Sequence, residues 1–167
     1  AKYAAAGSRI VNANTFGASA HKLAGSAYSL EEIIAAGIAN CKRACAPYGA
    51  LTTLDVGPLG ELLEPSGTLA FEDAVNEYAR IVRAGVAAGA DLIFFETFTD
   101  LYELKAALLA AKENSTLPIL ASMSFEAGGR TFTGCTVESF GVTARGLGAN
   151  AVGINCSLGP KEIYPMA

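Results

Sequence analysis

Two kinds of apolar spacing alternate along the chain and predict a repeated strand–helix unit. Short apolar runs predict five β-strands, at residues 8–13, 51–56, 91–96, 117–124 and 150–155. Segments with apolar residues every three or four positions predict helices at 30–48, 71–88, 101–113 and 136–147, with another beginning at 160. This alternation predicts an α/β fold with parallel strands joined by right-handed crossovers.

Two architectures are compatible with this alternation. One is a doubly wound open sheet, which is the default for a complete protein of this pattern. The other is part of a β/α barrel, which needs eight strands to close, so that five strands would make an incomplete barrel. The spacing of apolar residues does not separate these two possibilities.

Composition narrows the classes of protein to which the chain can belong. With 167 residues, 51% of them hydrophobic and 17% charged, it is long and apolar enough for one domain with a sizeable core. A net charge of -4 argues against a nucleic-acid partner, and no apolar run is long enough to span a membrane. Four cysteines without a dense disulfide framework favour a reduced, cytoplasmic location.

Polar side chains follow the apolar part of each predicted strand. Parallel strands bring such residues to one edge of the sheet, where α/β folds bind ligands, although each could also simply be hydrated. Glu96 is the strongest candidate, because it directly follows the apolar run 92–95 and a half-buried carboxylate needs a cationic partner such as a ligand amine. The strand-end residues are Asn12, Asn14, Thr15, Asp55, Glu96, Thr97, Ser122, Ser124, Asn155 and Cys156.

Cys156 is placed by the pattern at the end of the fifth strand, before a Gly-Pro turn. A thiol there is a candidate metal ligand or nucleophile, although free cysteines often only fill space in a core. Cys41 and Cys45 lie four residues apart on a predicted helix, which favours apolar packing over metal binding. His21 is the single histidine, so the chain offers no His-rich zinc site and little support for a Cys-His pair.

Four ordered segments carry a more specific signal. They are N-A-N-T-F-G-A-S at 12–19, A-D-L-I-F-F-E-T at 90–97 with D-L-Y-E-L-K-A at 100–106, G-R-T-F-T-G at 129–134 with E-S-F at 138–140, and G-I-N-C-S-L-G-P at 153–160. Together they resemble the motifs of the homocysteine S-methyltransferase family over essentially the whole chain. The third segment is most similar to the cobalamin-dependent methionine synthase branch.

The resemblance implies a β/α barrel that transfers a methyl group to the thiol of homocysteine and so makes methionine. In the family, Zn²⁺ held by three cysteine thiolates binds the homocysteine sulfur, and by this matching Cys156 is the first of those ligands. Glu96 would bind the homocysteine amino group. The implied donor is methylcobalamin, and the implied partners are cobalamin- and folate-binding modules of the same enzyme. Further residues implied to line the substrate pocket are Asn14, Thr15, Ser124 and Asn155.

Two family motifs do not occur in this sequence. They are the D-G-x-x-G motif of the opening strand and the Gly-Gly-Cys-Cys motif that supplies the other two zinc ligands. We therefore expect residues 1–167 to be a partial homocysteine-binding barrel, without its first and last units, that is inactive alone and binds zinc weakly.

Three points stay open from the sequence. An inactive fragment that self-associates through its exposed strand edges is one alternative, and an open-sheet enzyme that uses Cys156 as a nucleophile is another. The methyl donor is also open, because barrels of this kind also serve enzymes whose methyl donor is betaine or S-methylmethionine.

Overall fold

Five parallel β-strands form a single sheet in the computed structural model, which describes residues 1–166. Each strand is hydrogen-bonded to the next strand along the chain, so the order across the sheet is β1-β2-β3-β4-β5. The strands are β1 (Ile10–Asn12), β2 (Leu51–Val56), β3 (Leu92–Phe98), β4 (Ile119–Met123) and β5 (Ala151–Ile154).

The helices form one layer against one face of this sheet. The second helix packs on the third, the third on the fourth, and the fourth on the fifth, so these helices cover the same face side by side. They are α1 (Lys2–Ala5), α2 (Leu30–Cys45), α3 (Phe71–Ala87), α4 (Leu101–Asn114), α5 (Val137–Gly146) and α6 (Pro160–Ile163), with 3-10 turns at Ala46–Tyr48 and Tyr164–Met166.

This connectivity decides between the two architectures left open by the sequence. A doubly wound sheet reverses its strand order at a switch point and carries helices on both faces. Here the order never reverses and the helices share one face, so the doubly wound alternative is wrong. The chain is a half-barrel of five strand–helix units, as the barrel interpretation predicts.

The predicted elements are all present, with shifted ends. α2 ends at Cys45 rather than at residue 48, because Pro47 lacks the backbone N–H that would continue the helix, and a 3-10 turn follows. β3 runs two residues past Glu96 to Phe98, and its pairing with β4 shifts register between Phe95 and Phe98. The short helix α1 was not predicted.

Side-chain caps fix where the helices begin. The Ser29 hydroxyl accepts from the Glu32 backbone N–H while the Glu32 carboxylate accepts from the Ser29 N–H, so the two residues form a capping box at the start of α2. Asp100 caps α4 by accepting from the Tyr102 N–H, and Thr136 caps α5. The caps therefore mark where the loops after β1, β3 and β4 end and the next helices begin.

The hydrophobic core lies between the sheet and the helix layer. Alternate strand residues point into it, and Leu54 and Phe95 are fully buried there. Tyr78 packs edge-on to Phe95 with ring centroids 6.1 Å apart. A Cβ atom at Gly85 would lie 2.4 Å from Leu54 Cδ2, so glycine permits the close approach of α3 to β2.

Cys41 and Cys45 belong to this core, with their sulfur atoms 3.8 Å apart, in agreement with the packing interpretation. None of the helices within residues 1–166 has both the length and the apolar character that crossing a membrane requires.

Candidate functional site

The sheet face turned away from the helices, here called the inner face, carries polar side chains towards the carboxyl ends of its strands. Thr53 on β2 donates from Oγ1 to Asn12 Oδ1 on β1 at 2.8 Å. The Asn12 amide in turn reaches Glu96 on β3, with Nδ2 3.5 Å from Oε2. Three strands are therefore linked by polar side chains across this face, at the carboxyl ends where α/β folds bind ligands.

Asp55 lies beside Glu96 on the inner face and is the most deeply buried carboxyl group there. It is 6% exposed, and its Oδ1 has no hydrogen-bond partner among the described residues. Burial and the neighbouring Glu96 carboxylate raise the pKa of Asp55 to about 8, against a smaller opposing effect of the Asn12 amide. Asp55 is therefore protonated at neutral pH, next to an acidic neighbour.

A second polar group surrounds the end of β5. Asn155 Nδ2 donates to Thr97 Oγ1 at 2.6 Å. The same nitrogen lies 3.4 Å from the Cys156 sulfur. Thr97 Oγ1 is itself 3.9 Å from that sulfur. Ser124 donates from Oγ to the Asn155 carbonyl at 2.8 Å. The exposed Cys156 thiol is thus contacted from the ends of β3 and β5, and Ser124 at the end of β4 holds the backbone beside it.

Backbone strain marks the same place. Thr97, Cys156 and Ser157 have φ values of 63°, 59° and 52°, in the left-handed region that residues other than glycine rarely occupy. Thr97 lies within the register shift between β3 and β4, and its N–H donates to Ser122 Oγ at 3.3 Å. Strain of this kind persists only where surrounding contacts enforce it, and it concentrates at functional sites.

Four of the six predicted site residues gather here, around Thr97. They are Glu96, Ser124, Asn155 and Cys156. Thr15 is buried, and its hydroxyl both accepts from the Asp55 N–H and donates to the Asp55 carbonyl. Asn14 is exposed and lines a groove of about 460 Å³ between β1 and α2, outside the sheet edge. The roles of all six in binding stay predictions.

Asp55 and Thr97 contribute more to the site than the sequence indicated. Both were recognised only as strand-end polar residues. The alternation T-L-D-V at 53–56 was the available signal for Asp55, because it puts residue 55 on the face opposite to Leu54. No sequence signal showed the left-handed backbone of Thr97, because it arises from how β3 pairs with β4.

The inner face also contains a small groove between β3, β4 and β5. Its volume is about 190 Å³, and Phe94 and Leu120 give it an apolar floor while Ser122 and Asn155 give it polar atoms. An apolar cleft with a few fixed polar groups suits a small amphipathic molecule.

The described residues do not by themselves make a metal centre. No group of three or more His, Cys, Asp or Glu side chains within residues 1–166 is arranged to hold a metal ion. Cys156 is the single thiol at the inner-face edge, since Cys41 and Cys45 lie in the core and Cys135 donates to the Thr136 carbonyl beside α5. A protein zinc site needs three or four ligands, so one thiol does not fit it.

Comparisons with known proteins point in one direction. Residues 1–167 match the profile of the homocysteine S-methyltransferase family. A methionine synthase of Mycobacterium tuberculosis (strain ATCC 25618 / H37Rv) is 27% identical over 173 residues, covering 96% of this chain.

Solved structures share the fold. The metallated form of the homocysteine methyltransferase MmuM from Escherichia coli superposes with a TM-score of 0.77 at 17% identity, covering 92% of this chain and 60% of that one. Its apo form gives a TM-score of 0.67 at the same identity, covering 96% of this chain and 60% of that one. At such identities the likeness supports the β/α barrel fold alone.

The chain is shorter than these relatives. It spans 14% of the mycobacterial methionine synthase and 60% of the metallated MmuM chain. The family profile nevertheless matches its full length, residues 1–167. The chain belongs to the homocysteine S-methyltransferase family.

Proposed function

We propose that this chain forms the homocysteine-binding part of an enzyme that transfers a methyl group to the homocysteine thiol to give methionine. The observation that carries the proposal is that the ends of β3 and β5, which carry Glu96 and Cys156, meet at one edge of the inner face. The Cys156 sulfur contacts Asn155 and Thr97, and Thr97 directly follows Glu96 in β3. Family membership gives this pairing its chemical meaning.

Glu96 is the proposed partner of the homocysteine α-ammonium group. Its carboxylate is half-buried and contacts the Asn12 amide at 3.5 Å, and it forms no ion pair with a Lys or Arg among the described residues. A half-buried carboxylate without a cation is costly, and an ammonium group removes that cost.

The β5 end is the proposed place of the sulfur. Asn155 uses its amide N–H groups towards Thr97 and Cys156, while its Oδ1 is buried without a partner in the described chain. That oxygen is free to accept a hydrogen bond from a ligand. Ser124, by holding the Asn155 carbonyl, fixes the loop that carries the thiol. Asn14 and Thr15 belong to the proposed pocket through the family motif alone.

Zinc enters the proposal through Cys156 only. As a thiolate, Cys156 would be one of its ligands, and the others would have to come from residues outside this sequence. Bound Zn²⁺ lowers the pKa of a coordinated thiol, which makes a thiolate available near neutral pH.

The methyl donor and the setting of the enzyme belong to the same proposal. Methylcobalamin is the proposed donor, with cobalamin- and folate-binding modules as partners, because of the G-R-T-F-T-G segment and the methionine synthase relative. A cytoplasmic location agrees with four free cysteines.

A binding experiment tests the proposal. We expect homocysteine to bind the wild-type chain in isothermal titration calorimetry, and Glu96→Gln to weaken binding about tenfold or more, since a charge-assisted bond is lost. Glu113→Gln, at an exposed position on α4, is the matched control and should bind like the wild type. Absence of binding by the wild type, or equal binding by both variants, would contradict the proposal.

Exposed strand edges favour one non-enzymatic alternative, self-association of the chain. Ile10 on β1 is 45% exposed and Val152 on β5 is 48% exposed, and each strand pairs on one side only within residues 1–166. Unpaired edges promote association between chains. Sedimentation velocity tests this alternative, which predicts concentration-dependent oligomers that homocysteine does not alter.

A further inference from the structure

The inner face holds two carboxyl groups side by side without a cation. Asp55 pairs in register with Phe94, so Glu96 lies two residues further along the neighbouring strand and on the same face. Asp55 is more than nine-tenths buried, its side chain lies beside Glu96 and Asn12, and its Oδ1 has no hydrogen-bond partner among the described residues. A buried acceptor without a donor is uncommon in folded proteins and calls for an explanation.

The surroundings of Asp55 supply no positive charge. The neighbour from β1 is the neutral amide of Asn12, the neighbour from β3 is the Glu96 carboxylate, and the loop after β1 contributes the neutral hydroxyl of Thr15. No Lys, Arg or His among the described residues forms an ion pair with either carboxyl group. Without a cation beside the two carboxyl groups, a proton on Asp55 compensates the second one, consistent with the Asp55 pKa of about 8.

We propose that Asp55 is a positioning residue for the ligand amine: Asp55 holds a proton beside Glu96 before the ligand binds and releases that proton when an ammonium group binds at Glu96. The inference rests on the proposed function and adds to it the role of Asp55 and the release of its proton on binding. The O–H bond of Asp55 breaks, the proton passes to the solvent, and the ammonium charge takes its place. No electron transfer is involved.

The exchange of a proton for an ammonium group would let the site select amino acids over acids that lack the amine. An amino acid brings the positive charge that displaces the proton, and two carboxylates then face one ammonium group. A thiol acid without the amine brings no such charge, so it leaves Asp55 protonated and gains nothing from the pair. The site thus takes α-amino acids and discriminates against their deaminated analogues.

The experiment measures protons released on binding. L-methionine is the probe, because it has the α-ammonium group of homocysteine and no thiol proton. It is titrated into the chain at pH 7 in two buffers of different ionisation enthalpy, and 4-(methylthio)butanoate serves as the probe without an amine. The variants are Asp55→Asn, which mimics the protonated carboxyl group, and Asp73→Asn at an exposed position of α3 as the matched control.

For the wild type and Asp73→Asn we expect about one proton released per bound methionine, because a group with this pKa is about 90% protonated at pH 7. The Asp55→Asn variant should release none and lose about tenfold of the preference for methionine over the deaminated probe. Circular dichroism of each variant verifies that it is folded.

Two results would overturn the inference in distinguishable ways. If Asp55→Asn binds methionine with the wild-type preference and proton release, Asp55 has no part in amine binding, while the proposed function stands. If the wild type binds neither methionine nor homocysteine, the proposed function fails, and the inference fails with it.

Discussion

The two faces of the sheet are built from the same strands and follow opposite rules. On the helix face, Leu54 and Phe95 are fully buried among apolar neighbours, and Gly85 lets α3 approach closely. On the inner face, Asp55 is also buried, yet one of its carboxyl oxygens, Oδ1, has no hydrogen-bond partner among the described residues. Packing accounts for the first face. On the second face, burying a polar atom without a partner costs free energy of folding, which is expected of a site that binds a ligand.

The largest difference between the faces should appear on truncation of the core. Phe95→Ala removes a ring that packs on Tyr78 and Phe98, and we expect it to lower the free energy of unfolding by about 3–5 kcal/mol. Phe132→Ala, at a position that is 74% exposed, is the matched control and should cost less than about 0.5 kcal/mol. Urea denaturation measures both, and equal losses would contradict the assignment of Phe95 to the packed core on the helix face.

The cost of ionising Asp55 on the inner face should make the free energy of unfolding depend on pH. Folding raises the pKa of Asp55 from 3.8 to about 8, so the stability that its proton provides is complete below pH 4 and lost as pH rises to 8. Relative to Asp55→Asn, the wild type should lose at most about 1.4 kcal/mol per pH unit, or about 2–3 kcal/mol between pH 5 and pH 7. Urea denaturation at both pH values measures the difference. Parallel stability curves would show that Asp55 ionises normally.

Cysteine reactivity should separate the strand-end thiol from the others. Cys156 is exposed, whereas burial raises the pKa of Cys41 and of Cys135. We expect iodoacetamide at pH 7.5 to alkylate Cys156 about tenfold faster or more, as read by mass spectrometry of peptides. Faster labelling of Cys135 would place the accessible thiol beside α5 instead.

The smallest effect concerns the strained turn. Ser122→Ala removes the hydroxyl that accepts from the Thr97 N–H, and it should lower the free energy of unfolding by about 1 kcal/mol. Ser66→Ala, at an exposed position, is the control and should change it by less than about 0.5 kcal/mol. An unchanged stability of Ser122→Ala in urea denaturation would show that this hydrogen bond does not support the left-handed Thr97.

The sequence predicted what depends on local pattern. The apolar run 92–95 indicated β3, and the apolar spacing at 101–113 indicated α4, because strand burial and the burial of one helix side are local effects. The strained turn at Thr97 and the proton on Asp55 were not predicted. Both depend on which residues meet across neighbouring strands, the first on the β3–β4 register and the second on Glu96 lying beside Asp55.

The placement of homocysteine on the inner face is the claim on which this account depends most. Chemical-shift mapping of the ¹⁵N-labelled chain with homocysteine tests it directly. We predict the largest shifts at Glu96, Thr97, Asn155 and Cys156, where the strand ends meet. Shifts confined to the larger groove between β1 and α2, around Ile33 and Gly37, would contradict it.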